Sequence, residues 1–293
     1  MGKYKISDLE KLSNIKSHTI RIWEQRYGLL EPSRTDTNIR YYDDLQLRKL
    51  LNVVSLINAG HKISHIGKLS ISEIEEKVAD IIDSDNDNKD EAIINKLVNS
   101  GLTYDESLFN EYYNKAIKTY GIIESYKKIF YPLLDKVGLL WRINDLNPAQ
   151  EHFISNLLKQ KFYAGFDALE SIEKSKQNWI LFLPENDYHD IGLVMSSIIL
   201  KTNKKKSINL GANVPLPNLL HVIENTNATH LLMFLVTPQP YEYINNITSS
   251  IINNHPDKKL IICCNPNYAK NLTPHKNQKI ATSFNDFLKI AEG

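Results

Sequence analysis

Two groups of residues in this chain of 293 residues have types and spacings suited to chemistry rather than packing alone. Asp187-Tyr188-His189-Asp190-Ile191-Gly192 places an imidazole two residues after a carboxylate, on a loop following the apolar run Trp179-Ile180-Leu181-Phe182-Leu183. Such a histidine offers a ring nitrogen for coordination at the carboxyl end of a strand, where open α/β sheets hold their ligands. Upstream, Trp141 is followed after nine residues by Glu151-His152. Near the start of the chain a different chemistry is laid out. Ser17, His18, Thr19 and Arg21 fill the first turns of a helical pattern, and Arg26, Arg34 and Arg40 follow. Short polar side chains at a helix start can reach base edges, while arginines beyond it clamp phosphates.

Stepping outward, the elements that hold these residues divide the chain into three expected parts. Residues 1–72 read as helix, short turn and helix. Ser7 is expected to cap the first helix and Ser17 the second, with Ile20 and Trp23 facing inward. A β-like wing through Ile39-Arg40-Tyr41-Tyr42 comes next. A third helix opens at Asp43 and Asp44, takes Leu45, Leu47, Leu50 and Leu51 as its apolar side, and ends at Gly60; Ile63–Ile66 forms a small closing helix. Residues 73–174 read as a helical bundle, with helical patterns at about 91–99, 104–119, 122–141 and 148–170. The polar run 84–90 reads as a solvated loop or helix start. Residues 175–293 alternate apolar strands, at Trp179–Leu183, Ser207–Leu210, His230–Val236 and Leu260–Cys264, with amphipathic helices. That alternation predicts a doubly wound, Rossmann-like parallel sheet. The fold class is therefore multidomain: an α winged helix-turn-helix, an α-helical bundle and an α/β sheet.

Bulk properties restrict the function. Net charge is only +1, so the chain is no polycation. Residues 1–70 nevertheless hold 12 Lys and Arg against 7 Asp and Glu, a local +5 suited to a nucleic-acid surface. Cys263 and Cys264 are the only cysteines, and neighbours rarely pair, which points to a reducing cytoplasm. No apolar stretch follows the basic start, and no run approaches the ~18 residues of a membrane span. No Gly-x-Gly-x-x-Gly follows the first strand, and the nine histidines show no zinc-ligand spacing. The two cysteines have no base beside them in sequence, so packing at a strand end is their expected role.

Residues 4–70 resemble the MerR family of winged-helix regulators. The resemblance rests on Tyr4-Lys5-Ile6-Ser7, on Ser17-His18-Thr19-Ile20-Arg21-Ile22-Trp23-Glu24, on Arg26-Tyr27-Gly28-Leu29-Leu30, and on Arg34 with Arg40-Tyr41-Tyr42. It implies that the second helix enters the major groove and that the wing, including Tyr41, meets phosphates of double-stranded operator DNA. Asn38 stands where the family wing has Gly, and Asn tolerates positive φ better than most residues. Trp23 and Tyr27 are expected in the core.

The third part resembles the cobalamin-binding domain of methionine synthase, base-off mutases and some regulators. The resemblance implies that His189 is the lower ligand of cobalt, with Asp187 orienting it. It also implies that Gly192 leaves clearance for the cofactor and that Leu235 belongs to the cofactor site. Leu210-Gly211-Ala212-Asn213-Val214-Pro215 matches the family's second strand and turn. Two stretches depart: Met233-Phe234-Leu235 replaces Ser-x-Leu, and Cys263-Cys264 replaces Gly-Gly. Both add bulk where the family buries the nucleotide tail, and overpacking a close-fitting slot costs ~1–3 kcal/mol, about tenfold or more in affinity.

Trp141 with Glu151-His152 resembles the upper-face cap of light-sensing cobalamin repressors of the CarH/LitR type. Those repressors carry a histidine after the tryptophan where this chain has Arg142. A lone histidine is by default core or surface, and Trp141 by default a bundle residue. His189 differs because its motif lies on the ligand-bearing loop. The resemblance implies a non-enzymatic repressor that senses adenosylcobalamin or methylcobalamin, with light, through assembly of a dimer or tetramer. The alternative is the same architecture without cofactor, controlled by a partner protein or another ligand. A corrinoid-dependent methyltransferase or mutase would need a substrate-activating barrel, for which the chain has no room.

Overall fold

Several helices begin where a polar side chain takes up their first N–H groups. Asp8 accepts from the Lys5 N–H at 2.7 Å in α1 (Ile6–Ser13). In α2 (Ser17–Tyr27) it is Glu10 that accepts, from the Ser17 N–H at 3.0 Å and hydroxyl at 2.6 Å. Neither serine is the cap the sequence suggests: Ser7 lies inside α1, and Ser17 is the first residue of α2, after Lys16. The carboxylate of Glu10 reaches farther than either hydroxyl and so takes the role for α2. Its pKa drops to about 2 because Ser17 and Lys16 hydrogen-bond its charged form.

A computed structural model describes residues 3–84, 86–142 and 148–293, with the side chains of 139–142 outside the description. The chain divides into two compact units, Met1–Leu157 and Leu158–Gly293.

In the first unit, β1 (Ser33–Arg34) pairs antiparallel with β2 (Arg40–Tyr41) as the wing. Asn38 turns it with φ +63°, the left-handed conformation anticipated for that position. Tyr4 and Tyr42, both fully buried, exchange backbone hydrogen bonds of 2.8 and 2.9 Å and sew the wing to the chain start. Then come α3 (Asp44–Asn58), capped by Asp43, and α4 (Ile63–Ile66). Leu47, Leu50 and Leu51 are buried, but Leu45 is 59 % exposed: one residue into α3, it falls off the inward stripe. Tyr27 packs beneath α4, where its Cβ would meet a side chain at Gly67 at 2.8 Å.

The bundle adds α5 (Ile71–Asp83), α6 (Lys89–Thr103), α7 (Glu106–Ser125), a π-helical turn at Tyr126–Phe130, α8 (Tyr131–Arg142) and the start of α9 (Pro148–Asp167), whose residues from Leu158 on belong to the second unit. The sequence reading did not include α5, although Ser70 and Glu73 form a capping box before Ile74, Val78 and Ile81. Gly121 (φ +70°) kinks α7 in the gap between two predicted helices. Both α5 and α6 pack on α3, so the winged helix and the bundle share one core.

The second unit contains β3 (Asn178–Pro184), α10 (Ile191–Thr202), β4 (Lys206–Val214), α11 (Leu216–Glu224), β5 (His230–Leu235), α12 (Tyr241–Asn254), β6 (Lys259–Cys264), α13 (Pro266–Ala269), β7 (Gln278–Ala281) and α14 (Phe284–Glu292). The sheet is parallel in the order β4-β3-β5-β6-β7. After β4 the chain crosses to the other side of β3, which makes the crevice beyond β3 and β5 the topological switch point. Side chains alternate across the sheet. Phe182, Met233, Leu235, Ile262 and Cys264 pack with Leu219, Ile223, Ile244 and Ile251 of α11 and α12. The other face presents Phe234 and Cys263 toward α10 and α14.

Candidate functional site

On the first unit, His18, Arg21 and Arg26 of α2 are exposed, and Thr19 and Ser17 are half-buried. The Ser17 hydroxyl donates to Glu10, so any contact with a base competes with that bond. Gln25 is also exposed, one helical turn from Arg21 on the line through His18. The sequence reading passed over it, and the i, i+3, i+7 spacing of His18, Arg21 and Gln25 was the available signal. In the wing, exposed Arg34 donates to Asn38 Oδ1 at 2.5 Å. Arg40 is less available: its Nε lies 3.4 Å from Glu24, which also accepts from the Tyr42 hydroxyl. Lys3 lies over the half-buried Tyr41 ring, 5.2 Å from its centroid.

On the second unit, Asp187 is wholly buried and joins three loops at the carboxyl ends of the strands. Its Oδ1 lies 3.0 Å from His189 Nδ1 and accepts from the His189 N–H at 3.2 Å. Its Oδ2 accepts from the N–H groups of Val236 and Thr237, just after β5, at 3.1 and 3.2 Å. Its carbonyl accepts from the Asn213 N–H near the end of β4 at 3.1 Å, and Asn213 Oδ1 accepts from the Asn186 N–H at 2.9 Å. Burial alone would raise the Asp187 carboxyl, but hydrogen bonds from His189 and the Thr237 backbone outweigh it and hold the pKa below the ordinary value. An ionised Asp187 selects the tautomer with the proton on His189 Nδ1, which places the ring's lone pair on Nε2. The His189 side chain is 58 % exposed, flanked by the exposed apolar residues Tyr188 and Val236. Asp190 next to it pairs with Lys159 of α9 at 2.5 Å. The loop thus holds an oriented, exposed imidazole, an arrangement able to coordinate a metal.

The other expected site residues are on α10, β5, α8 and α9. A β-carbon on Gly192 would come within 2.9 Å of Phe234 Cε1, so the space that glycine leaves is already held by an aromatic ring. Leu235 is buried on the α11 and α12 side of the sheet together with Met233 and Cys264, so these two residues, expected to crowd a tail slot, lie on the face opposite Phe234 and Cys263. Burial raises Cys263 far above the ordinary thiol range and Cys264 to about 11, so neither is a thiolate near neutral pH. Glu151 and His152, at the start of α9, pair with each other at 2.6 Å, the histidine being 70 % exposed. Trp141 is on the α8 backbone, and its side chain lies outside the described residues. Buried Gln150 ties this end of α9 to the end of α6 by donating to the Leu102 carbonyl at 3.1 Å.

A winged helix-turn-helix, a helical bundle and a switch-point histidine loop on a five-stranded parallel sheet define a DNA-binding protein with a ligand-binding type of α/β unit. Residues 4–72 match the MerR HTH family regulatory proteins, and residues 93–164 match the B12 binding domain. The chain is a MerR-type transcriptional regulator with a B12-binding domain. It is 24 % identical over 220 residues to the HTH-type transcriptional repressor CarH of Myxococcus xanthus, covering 74 % of this chain and 73 % of that protein. With the HTH-type transcriptional repressor CarA of the same organism it shares 26 % over 216 residues, covering 72 % and 69 %. The fold is similar to that of the monomethylamine corrinoid protein of Methanosarcina barkeri (TM-score 0.57, 15 % identity, 69 % of this chain and 98 % of that one).

Proposed function

We propose that this chain is a repressor that binds two-fold operator DNA as a homo-oligomer, and that its carboxy-terminal half senses a cobalamin-type corrinoid through His189. The observation that carries the reading is the Asp187 carboxylate, buried and bonded both to His189 on its own loop and to the backbone just after β5. A metal-binding histidine almost always donates its other ring N–H to a partner such as this carboxylate, which fixes the tautomer and the orientation of the ring. A corrinoid bound there would supply a cobalt able to take an imidazole as ligand. His189 would hold it, Asp187 would keep the ring oriented and basic, and Tyr188 and Val236 would cover apolar area. Trp141, Glu151 and His152 are the residues proposed for its upper face, on the strength of the sequence resemblance. His18, Thr19 and Arg21 would read base edges, and Arg26 and Arg34 would position the head on phosphates. Occupancy that favours one assembly over another changes operator affinity by that difference in free energy.

A second reading is the same regulator without a corrinoid, controlled by a partner protein. The observation in its favour is Phe234, whose ring fills the space at Gly192.

The deciding experiment is the visible spectrum of full-length protein mixed in the dark with adenosylcobalamin or with aquocobinamide and then desalted. The expected outcome is corrin absorbance retained with at least one of the two and lost in His189→Ala. A colourless wild type with both would reject the first reading in favour of the second. Repeating a gel shift on the operator in dark and light, at stated salt, then tests the light response.

A further inference from the structure

We propose that the α/β unit takes a corrinoid without burying a lower nucleotide tail, so its preferred ligand has that tail missing or left outside the fold. The proposal rests on the reading that His189 binds the cobalt. An imidazole in the lower position displaces any base the corrinoid carries there. That base and its linker must then lie beside His189, on the side of the sheet. Beside His189, the gap that such a tail would need lies between the start of α10 at Gly192 and Phe234 of the sheet. Gly192, in the first turn of α10, has no side chain to obstruct it.

Phe234 obstructs it instead. Its Cε1 and Cδ1 lie 2.9 and 3.1 Å from where a β-carbon on Gly192 would stand. The ring meets Phe287 of α14 edge-on, with centroids 6.4 Å apart, which limits how far it can withdraw. Cys263, the register partner of Phe234 on β6, is buried. One turn along α10 the Ser196 hydroxyl donates to the Gly192 carbonyl at 2.8 Å. A ribose and phosphate entering here would exchange water for two phenyl rings and a thiol, with no matching hydrogen bonds. Tyr188, next to His189, and Val236, just after β5, are exposed, so the corrinoid ring would meet side chains that lie outside the fold.

The test titrates the full-length protein in the dark with aquocobinamide, which lacks the nucleotide tail, and with aquocobalamin, following the visible spectrum. Wild type is expected to bind the cobinamide at least about tenfold more tightly. Displacing a base disfavours cobalamin at any histidine site, so the decisive quantity is the change in that ratio on Phe234→Gly. The ratio should shrink about tenfold through tighter cobalamin binding, with cobinamide affinity within about twofold of wild type. Phe234→Ala serves if Phe234→Gly fails to melt cooperatively. A ratio unmoved by either variant, or equal affinities in wild type, overturns the proposal while leaving the role of His189 intact. If neither corrinoid gives a spectral change that His189→Ala abolishes, the reading of His189 falls, and this proposal with it.

Discussion

Asp187 shows how one side chain can set both the stability and the chemistry of a loop. It is wholly buried yet charged, and each of its oxygens has donors of its own: the His189 ring and N–H on one, the Val236 and Thr237 N–H groups on the other. Asn in its place must turn an NH2 toward one pair of donors, leaving them buried and unpaired. Asp187→Asn is therefore expected to destabilise the α/β unit by about 1–3 kcal/mol in denaturant unfolding, and to weaken corrinoid retention by removing the charge that orients the imidazole. The cost depends on pH. The folded pKa lies below the ordinary 3.8, so the stabilisation is present in full above that value and disappears as pH falls through the folded pKa. The gap between wild type and variant should thus close in acid below about pH 4. The Asp-x-His spacing was readable in the sequence because it is local. The Val236 and Thr237 partners were not, since they come 49 and 50 residues later and only the sheet order brings them near.

At the level of elements, the long apolar runs of β3, β5 and β6 were plain in the sequence because strands buried on both faces need no polar alternation. The edge strand β7 (Gln278-Lys279-Ile280-Ala281) was missed, being short and half polar. Cap positions slipped for a related reason: Glu10, seven residues away, serves α2 better than the local Ser17 hydroxyl, and sequence shows only the local candidate. The DNA-binding elements divide by availability. Arg34 is exposed and bonded to Asn38 of its own turn, whereas Arg40 is ion-paired with Glu24. Arg34→Ala is expected to lower operator affinity uniformly across sequences and to reduce the slope of log affinity against log salt by about 1. Arg21→Ala is expected to relax sequence preference, by about 1–3 kcal/mol at the base pair it reads. Binding curves at several salt concentrations, on the operator and on point-mutated operators, check both.

At the scale of the first unit as a whole, the winged helix is joined to the bundle by a buried polar seam. Asn95 of α6 donates to the Ser55 hydroxyl at 3.0 Å and to the Leu51 carbonyl at 3.4 Å on α3, and accepts from Lys136 Nζ of α8 at 2.7 Å. Asn99 donates to Asn52 of α3 at 3.4 Å. Burial lowers the Lys136 pKa against the opposing pull of Glu91, and Asn95 accepts from its ammonium. Removing the acceptor should then cost more than removing the cation. Asn95→Leu is expected to destabilise the protein by about 1–3 kcal/mol or more, and Lys136→Met by less, because Asn95 keeps its bonds to α3. Denaturant unfolding of the two variants and their double mutant measures the difference, and equal losses would mean that the seam is not organised around Asn95.

The reach of Asp187 also fixes a sequence of events during synthesis. The carboxylate and His189 leave the ribosome together, but the backbone donors at Val236 and Thr237 follow 49 and 50 residues later. At about 5–20 residues per second the nascent loop waits several seconds for them. Until β5 has joined β3, the imidazole is present without being aimed. A chain halted before Val236 would carry the whole Asp-x-His-x-x-Gly motif and still lack two of the donors that hold its carboxylate, so the loop geometry is complete only with the switch point, not with the appearance of the histidine.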